Sequence, residues 1–103
     1  MYDQSLQSGT TVYRVWGGKA LEDGRSWTTV NPTTVDNYRN LAGLPPENTG
    51  QFMSQGVLKN SIGIQIKPAT PLAGNIGGLP ELVIPNASKR VIINSTLNLN
   101  PPF

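Results

Sequence analysis

Gly74-Asn75-Ile76-Gly77-Gly78-Leu79-Pro80-Glu81-Leu82-Val83-Ile84-Pro85 joins a glycine-rich turn to a short apolar strand, with a single carboxylate, Glu81, at the seam. No basic residue lies within several positions of it on either side. Burying that charge without a partner is costly, so either a group from elsewhere in the chain meets Glu81 or a ligand uses it. The stretch also sets the fold class. Short apolar runs bounded by Gly, Pro and Asn recur along the chain, and such runs read as strands separated by turns.

Working outward, Thr11-Val12-Tyr13-Arg14-Val15-Trp16 is rich in β-branched and aromatic residues and is stopped by Gly17-Gly18. Its alternation places Val12, Arg14 and Trp16 on one face and Tyr13 and Val15 on the other, so a guanidinium sits among apolar neighbours. A second strand is expected over Ser26-Trp27-Thr28-Thr29-Val30, with the Ser26 and Thr28 hydroxyls on one face and the Trp27 ring on the other. Thr33 to Gly43 reads as one short helix, with a Thr cap, apolar Val35, Tyr38, Leu41 and Ala42 on one side, and Gly43 as its stop before Pro45-Pro46. Further strands are expected over 56–59, over Ile62 to Lys67 with three isoleucines inward, over Glu81 to Ile84, and from Lys89 through Ile93, followed by a weaker tail. Pro68 to Gly78 is a long loop, read as mobile and facing substrate. Met1 to Gly9 is polar and featureless; residues 1–10 are expected to be a flexible leader or linker end, and 11–103 a single domain. The expected class is α+β, mostly β, with one or two short helices.

Composition narrows the chemistry. The 103 residues, with 37% hydrophobic, 11 Gly and 9 Pro, suit one domain with a modest core and many turns. Charged residues make up only 14%, well below the usual quarter. The net charge of +2 comes from scattered Lys and Arg, with Lys89-Arg90 the single adjacent pair, so no polyanion-binding stripe is visible. The chain has no Cys and no His, which removes disulfides, ordinary zinc sites, thiol nucleophiles and His-dependent hydrolysis. No metal site is expected. No apolar run reaches membrane-spanning length, and the N-terminus lacks a signal-peptide pattern. The chain begins like a segment excised from something larger.

An arginine inside the first apolar strand (Tyr13-Arg14-Val15), a hydroxyl pair on the second (Gly24-Arg25-Ser26-Trp27-Thr28-Thr29) and a glutamate after a glycine-rich loop (Gly77-Gly78-Leu79-Pro80-Glu81) occur in that order. Together they resemble the Arg…Ser-x-Thr/Ser…Glu signature of the R-S-E mono-ADP-ribosyltransferase toxins, over roughly residues 11 to 93. The small size resembles the C-terminal toxin tips of Rhs and contact-dependent polymorphic proteins. The resemblance implies a split β-sandwich with an NAD cleft, NAD as substrate, and transfer of ADP-ribose to a macromolecular acceptor. Glu81, Arg14 and Ser26 are then the expected catalytic residues. Arg14, Tyr13, Ser26, Trp27 and Thr28 are expected to contact NAD, with Arg14 clamping pyrophosphate or ribose, and one of Tyr13, Trp16 and Trp27 stacking on nicotinamide. The implied partners are a cognate immunity protein and an acceptor in translation machinery, such as elongation factor Tu or ribosomal RNA. The implied location is a secreted or injected effector acting in the target-cell cytoplasm, with no membrane partner.

Taken singly, each residue also has an ordinary reading: Arg14 as a snorkelling strand residue, Ser26 and Thr28 as common sheet residues, Glu81 as a solvated turn acid. Glu22, Asp23 and Glu47 read as solvated loop acids. One position departs from the family pattern. Where many relatives carry Glu or Gln two residues before the catalytic Glu, this chain has Leu79, which cannot activate an arginine acceptor. An NAD glycohydrolase toxin, a small RNase toxin that does not use NAD, and an inert binding module stay open as alternatives.

Overall fold

The computed structural model describes residues 7–103. Strand β1 (Thr11–Gly18) forms where the β-branched and aromatic run predicts it and pairs antiparallel with β3 (Asn48–Leu58), setting Val12 opposite Gly56, Arg14 opposite Ser54 and Trp16 opposite Phe52. The other edge of β3 carries β6 (Val91–Asn98), giving a three-stranded antiparallel sheet in the order β1-β3-β6. A second antiparallel sheet holds β2 (Ser26–Trp27), β5 (Pro80–Val83) and β4 (Gln65–Pro68), in the order β2-β5-β4. The sheets touch along β1 and the residue after β2. There the Tyr13 amide donates to the Thr28 carbonyl (2.8 Å) and the Thr28 amide returns the bond to Tyr13 (2.9 Å). With two short helices, α1 (Tyr38–Ala42) and α2 (Ala87–Arg90), the architecture is the mostly-β α+β class expected.

Several elements differ from the sequence reading, each for a local reason. The helix expected from Thr33 to Gly43 is broken in two. Pro32–Thr34 is a 3-10 turn whose first residues are capped by the Asn31 side chain, and α1 starts only at Tyr38. Between them Asn37 adopts φ 58°, a left-handed conformation that cannot propagate a right-handed helix. Gly43, also left-handed at φ 63°, ends α1 as its position predicts. The strand expected at 56–59 is the end of the eleven-residue β3, whose buried positions include Asn48, Gly50, Ser54 and Gly56. Gly56 is required at its place, because a Cβ there would lie 2.7 Å from the Ile92 carbonyl oxygen. Of the three isoleucines expected inward, Ile64 and Ile66 pack on the core, while Ile62 is 78% exposed and precedes β4. Lys89 and Arg90 close α2, so the last strand begins at Val91 and takes in Leu97.

Residues 9 and 10, expected within the leader, are backbone-paired. Gly9 donates to the Leu58 carbonyl (2.7 Å) and Leu58 to that of Thr10 (2.9 Å), so residues 9 and 10 extend the pairing along β3. Met1 to Leu6 lie outside the described residues.

Two apolar clusters hold the sheets. Val12, Trp27, Leu58, Leu82, Ile84, Ala87 and Val91 form one, and Val15, Tyr38 and Met53 form the other, with Leu79, Leu99 and Phe103 against it. Fully burying one such side chain stabilises by about 1.5–3 kcal/mol. The cleft between α1 and the second sheet lies beside the second cluster.

Candidate active site

Arg14 stands on β1 and is only 8% exposed. Its Nε donates to the Leu21 carbonyl (2.8 Å) and its Nη1 to the Ser26 carbonyl (2.9 Å). Gly24 lies flat on the guanidinium: a Cβ there would overlap Nη2 and Cζ. The side chain therefore braces the segment between β1 and β2, and its capacity for a ligand is what remains on Nη1 and Nη2. Burial pulls its pKa below the ordinary value, while Tyr38 and Asp23 nearby oppose that shift.

Ser26 is exposed at the edge of β2 and donates through Oγ to Glu81 Oε2 at 2.5 Å. Glu81 stands on β5 with its side chain 19% exposed, and its other oxygen, Oε1, meets Lys67 Nζ at 3.1 Å. Lys67 also donates to Thr70 Oγ1 (3.1 Å). The pairing is a consequence of register, since Lys67 lies directly opposite Glu81 across β4 and β5. Lys67 is thus the distant partner that the isolated carboxylate calls for. A carboxylate offers about four lone-pair positions, so Glu81 keeps acceptor capacity for ligand hydroxyls.

Thr28 is 3% exposed and its Oγ1 accepts from the Val30 amide (3.1 Å), shaping the turn after β2 at the cleft wall. Trp27, expected to contact NAD, borders the cleft but is only 2% exposed; its indole packs in the larger core cluster and its Nε1 donates to the Gly24 carbonyl (2.8 Å). Tyr13 is half-buried and lies outside the cleft, joined to Thr28 through its backbone. Trp16 stacks on Phe52 with centroids 4.4 Å apart, also away from the cleft.

The cleft has a volume of about 350 Å³ and is lined by Arg14, Ser26, Glu81, Lys67, Arg25 and Tyr38, among others. That volume is at the low end of the range for small-molecule sites. Tyr38, Lys67 and Arg25 are the residues that sequence reasoning missed as site groups. Tyr38 belongs to α1 and packs its ring against Phe103, 5.1 Å between centroids. Burial pushes its phenol well above the ordinary value; Arg14 pulls against that shift and Glu81 adds to it, so the phenol lies within electrostatic reach of both. The available signal was the residue type, because a tyrosine on an apolar helix face carries a hydroxyl that a phenylalanine would not.

The loop after β4 is held in place through much of its length. Asn40 of α1 receives the Ile76 amide on Oδ1 (2.9 Å) and the Gly77 amide on its carbonyl (2.9 Å), and Asn75 Nδ2 donates to the Leu44 carbonyl (3.0 Å). Leu72 to Gly74 form the exposed tip, where a reciprocal backbone pair joins Leu72 and Asn75. The loop expected to be mobile is thus hydrogen-bonded to α1 and to Leu44 just after it. Leu79 donates its amide to the Leu41 carbonyl (3.0 Å), and its side chain packs on the second cluster.

Among the described residues, no three His, Cys, Asp or Glu side chains are grouped to hold a metal ion. Comparison with protein-family models, with curated proteins and with solved structures gave no match.

Proposed function

We propose that the chain is an NAD-dependent mono-ADP-ribosyltransferase that moves ADP-ribose from NAD to a macromolecular acceptor, with NAD as substrate. The observation that carries the reading is the 2.5 Å bond from Ser26 Oγ to Glu81 Oε2 in a cleft whose wall also holds Arg14. These are the three residues of the R-S-E resemblance: Arg14 holds the Ser26 carbonyl, and Ser26 meets Glu81 across a separation of 55 residues.

In this reading the bond between ribose C1′ and the nicotinamide nitrogen breaks with its electron pair leaving on nicotinamide. Positive charge develops on C1′ and the ring oxygen. Glu81, held by Ser26 and Lys67, accepts a ribose hydroxyl and places its negative charge where the oxocarbenium forms, as carboxylates do in glycoside hydrolysis. The acceptor oxygen or nitrogen then bonds to C1′ and releases its proton to solvent. Arg14 holds the strand carrying Ser26, and the open N–H groups of its guanidinium face the diphosphate together with Arg25 and Lys67. The aromatic part of the cleft wall, for which Tyr13, Trp16 and Trp27 are the candidates in the sequence, comes from Tyr38 and Trp27.

Leu79 favours a second reading. Packed against the core, it offers no polar group to an acceptor, so water can take the acceptor's place and the enzyme is then an NAD glycohydrolase. The biological setting proposed for either chemistry is a polymorphic toxin delivered into a competitor's cytoplasm, acting on translation machinery and neutralised by an immunity protein in its producer. The test is incubation with NAD labelled in the adenylate half and a bacterial lysate. Label on a macromolecule supports transfer, nicotinamide release without label supports hydrolysis, and neither signal defeats the NAD reading.

A further inference from the structure

Glu22 reads from the sequence as a solvated loop acid, yet it is embedded in a network on the first sheet. Arg14, Ser54 and Thr96 stand directly opposite one another across β1, β3 and β6. Directly opposed residues of antiparallel strands share a face, so these three form one polar row across the sheet. The segment from Lys19 to Arg25 lies over that row like a strap. Leu21 meets Arg14 through its carbonyl, and Glu22 Oε2 accepts from Ser54 Oγ and from Thr96 Oγ1, each at 2.7 Å. Ser54 is fully buried and also accepts from Trp16 Nε1 (2.9 Å). Farther along, the Gly24 carbonyl receives the Trp27 indole, and the Arg25 carbonyl receives the Ile84 amide (2.8 Å) from just beyond β5. The strap ends at Ser26, the residue that holds Glu81.

We propose that Glu22 is a positioning residue for the Ser26–Glu81 pair. By fastening the middle of the strap to β3 and β6 while Arg14 fastens its flanks to β1, it fixes where Ser26 Oγ stands relative to the carboxylate on the second sheet. Removing the carboxylate takes away the acceptor that the Ser54 and Thr96 hydroxyls share, leaving them only each other (3.0 Å), and frees the strap from two of the three strands beneath it. Small displacements of a positioning group are costly to a reaction that depends on alignment. The catalytic part of the proposal rests on the NAD reading above; the structural part does not.

The test measures nicotinamide release and amide exchange on the same proteins. Glu22→Ala lowers turnover of NAD by about tenfold with KM within about twofold, because Ser26 and Glu81 remain present but misplaced. Glu22→Gln, whose amide oxygen can accept both hydroxyls, retains turnover within about threefold. Once Ser26→Ala has removed the hydroxyl being positioned, adding Glu22→Ala costs little further, whereas losses that multiply overturn the coupling. The Ile84 amide, which seats the end of the strap, exchanges faster in Glu22→Ala than in Glu22→Gln, while the Leu58 amide on Thr10 does not change. If the wild-type protein releases no nicotinamide, the NAD reading fails and exchange at Ile84 alone decides: unchanged protection in Glu22→Ala overturns the positioning role, and selective loss of protection supports it.

Discussion

Replacing Arg14 with lysine keeps the charge and removes the fork. In the native protein one guanidinium reaches two carbonyls at once, Leu21 at 2.8 Å and Ser26 at 2.9 Å, at a site only 8% exposed. An ammonium is a single point on a flexible stem, more strongly hydrated than a guanidinium, and from this position it can serve one carbonyl and leave the other unmet. A hydrogen bond from a charged donor contributes roughly 1.5–3 kcal/mol. Losing one of the two therefore removes about 1.5–3 kcal/mol from a domain whose total stability is on the order of 5–15 kcal/mol. With a urea dependence of about 1–3 kcal/mol per molar, the unfolding midpoint falls by on the order of 1–2 M. Fluorescence of the two tryptophans follows the transition directly, since Trp27 is buried in the core and Trp16 is stacked on Phe52. A lysine variant that unfolds at the wild-type midpoint but no longer turns over NAD refutes the bracing role and leaves Arg14 as a ligand clamp alone.

Gly24→Ala places a methyl group against the Arg14 guanidinium, which cannot retreat without releasing its carbonyls, and is expected to destabilise by about 1–3 kcal/mol in the same assay; combined with Arg14→Lys its cost is less than additive, and full additivity counts against the contact. Tyr38→Phe acts on alkaline stability. The folded-state pKa of Tyr38 is raised, chiefly by burial, so its contribution is fully present below the unfolded value of about 10 and is lost as pH rises above it. Thermal melts from pH 8 to 11 should show a smaller alkaline loss in the phenylalanine variant, and identical slopes contradict the assignment.

How far the sequence reveals this molecule depends on whether each signal is local. β1 and β5 are legible because β-branched and aromatic residues are concentrated between glycines and prolines, β2 only in part, since Ser26–Trp27 alone of the run expected from Ser26 to Val30 is strand, and Arg14, Ser26 and Glu81 stand out as polar groups in those runs. The full length of β3 is hidden because half-buried alternation is carried there by Asn48, Gly50, Ser54 and Gly56 rather than by large apolar residues. Asn48 is buried at no loss of polar partners, since its Nδ2 donates to the Val15 carbonyl and its Oδ1 accepts from the Gly50 amide. Such satisfaction depends on pairing between distant segments. The same holds for Lys67, whose place beside Glu81 follows from strand register, and for Glu22, whose partners stand on strands much later in the chain. Trp27 shows the converse: its residue type suits a stacking role, but the Gly24 turn directs its indole into the core.

The role of Glu81 in NAD cleavage is tested by nicotinamide release from NAD by purified wild-type protein and by Glu81→Gln, each with a urea unfolding curve. Glutamine keeps the shape of the side chain and an acceptor oxygen for Ser26 while removing the charge. The wild type is expected to release nicotinamide, the glutamine variant to lose at least about a hundredfold, as for removal of a group that stabilises transition-state charge, and the variant protein to remain folded. Equal release by a folded Glu81→Gln protein, or none by the wild type, contradicts that role.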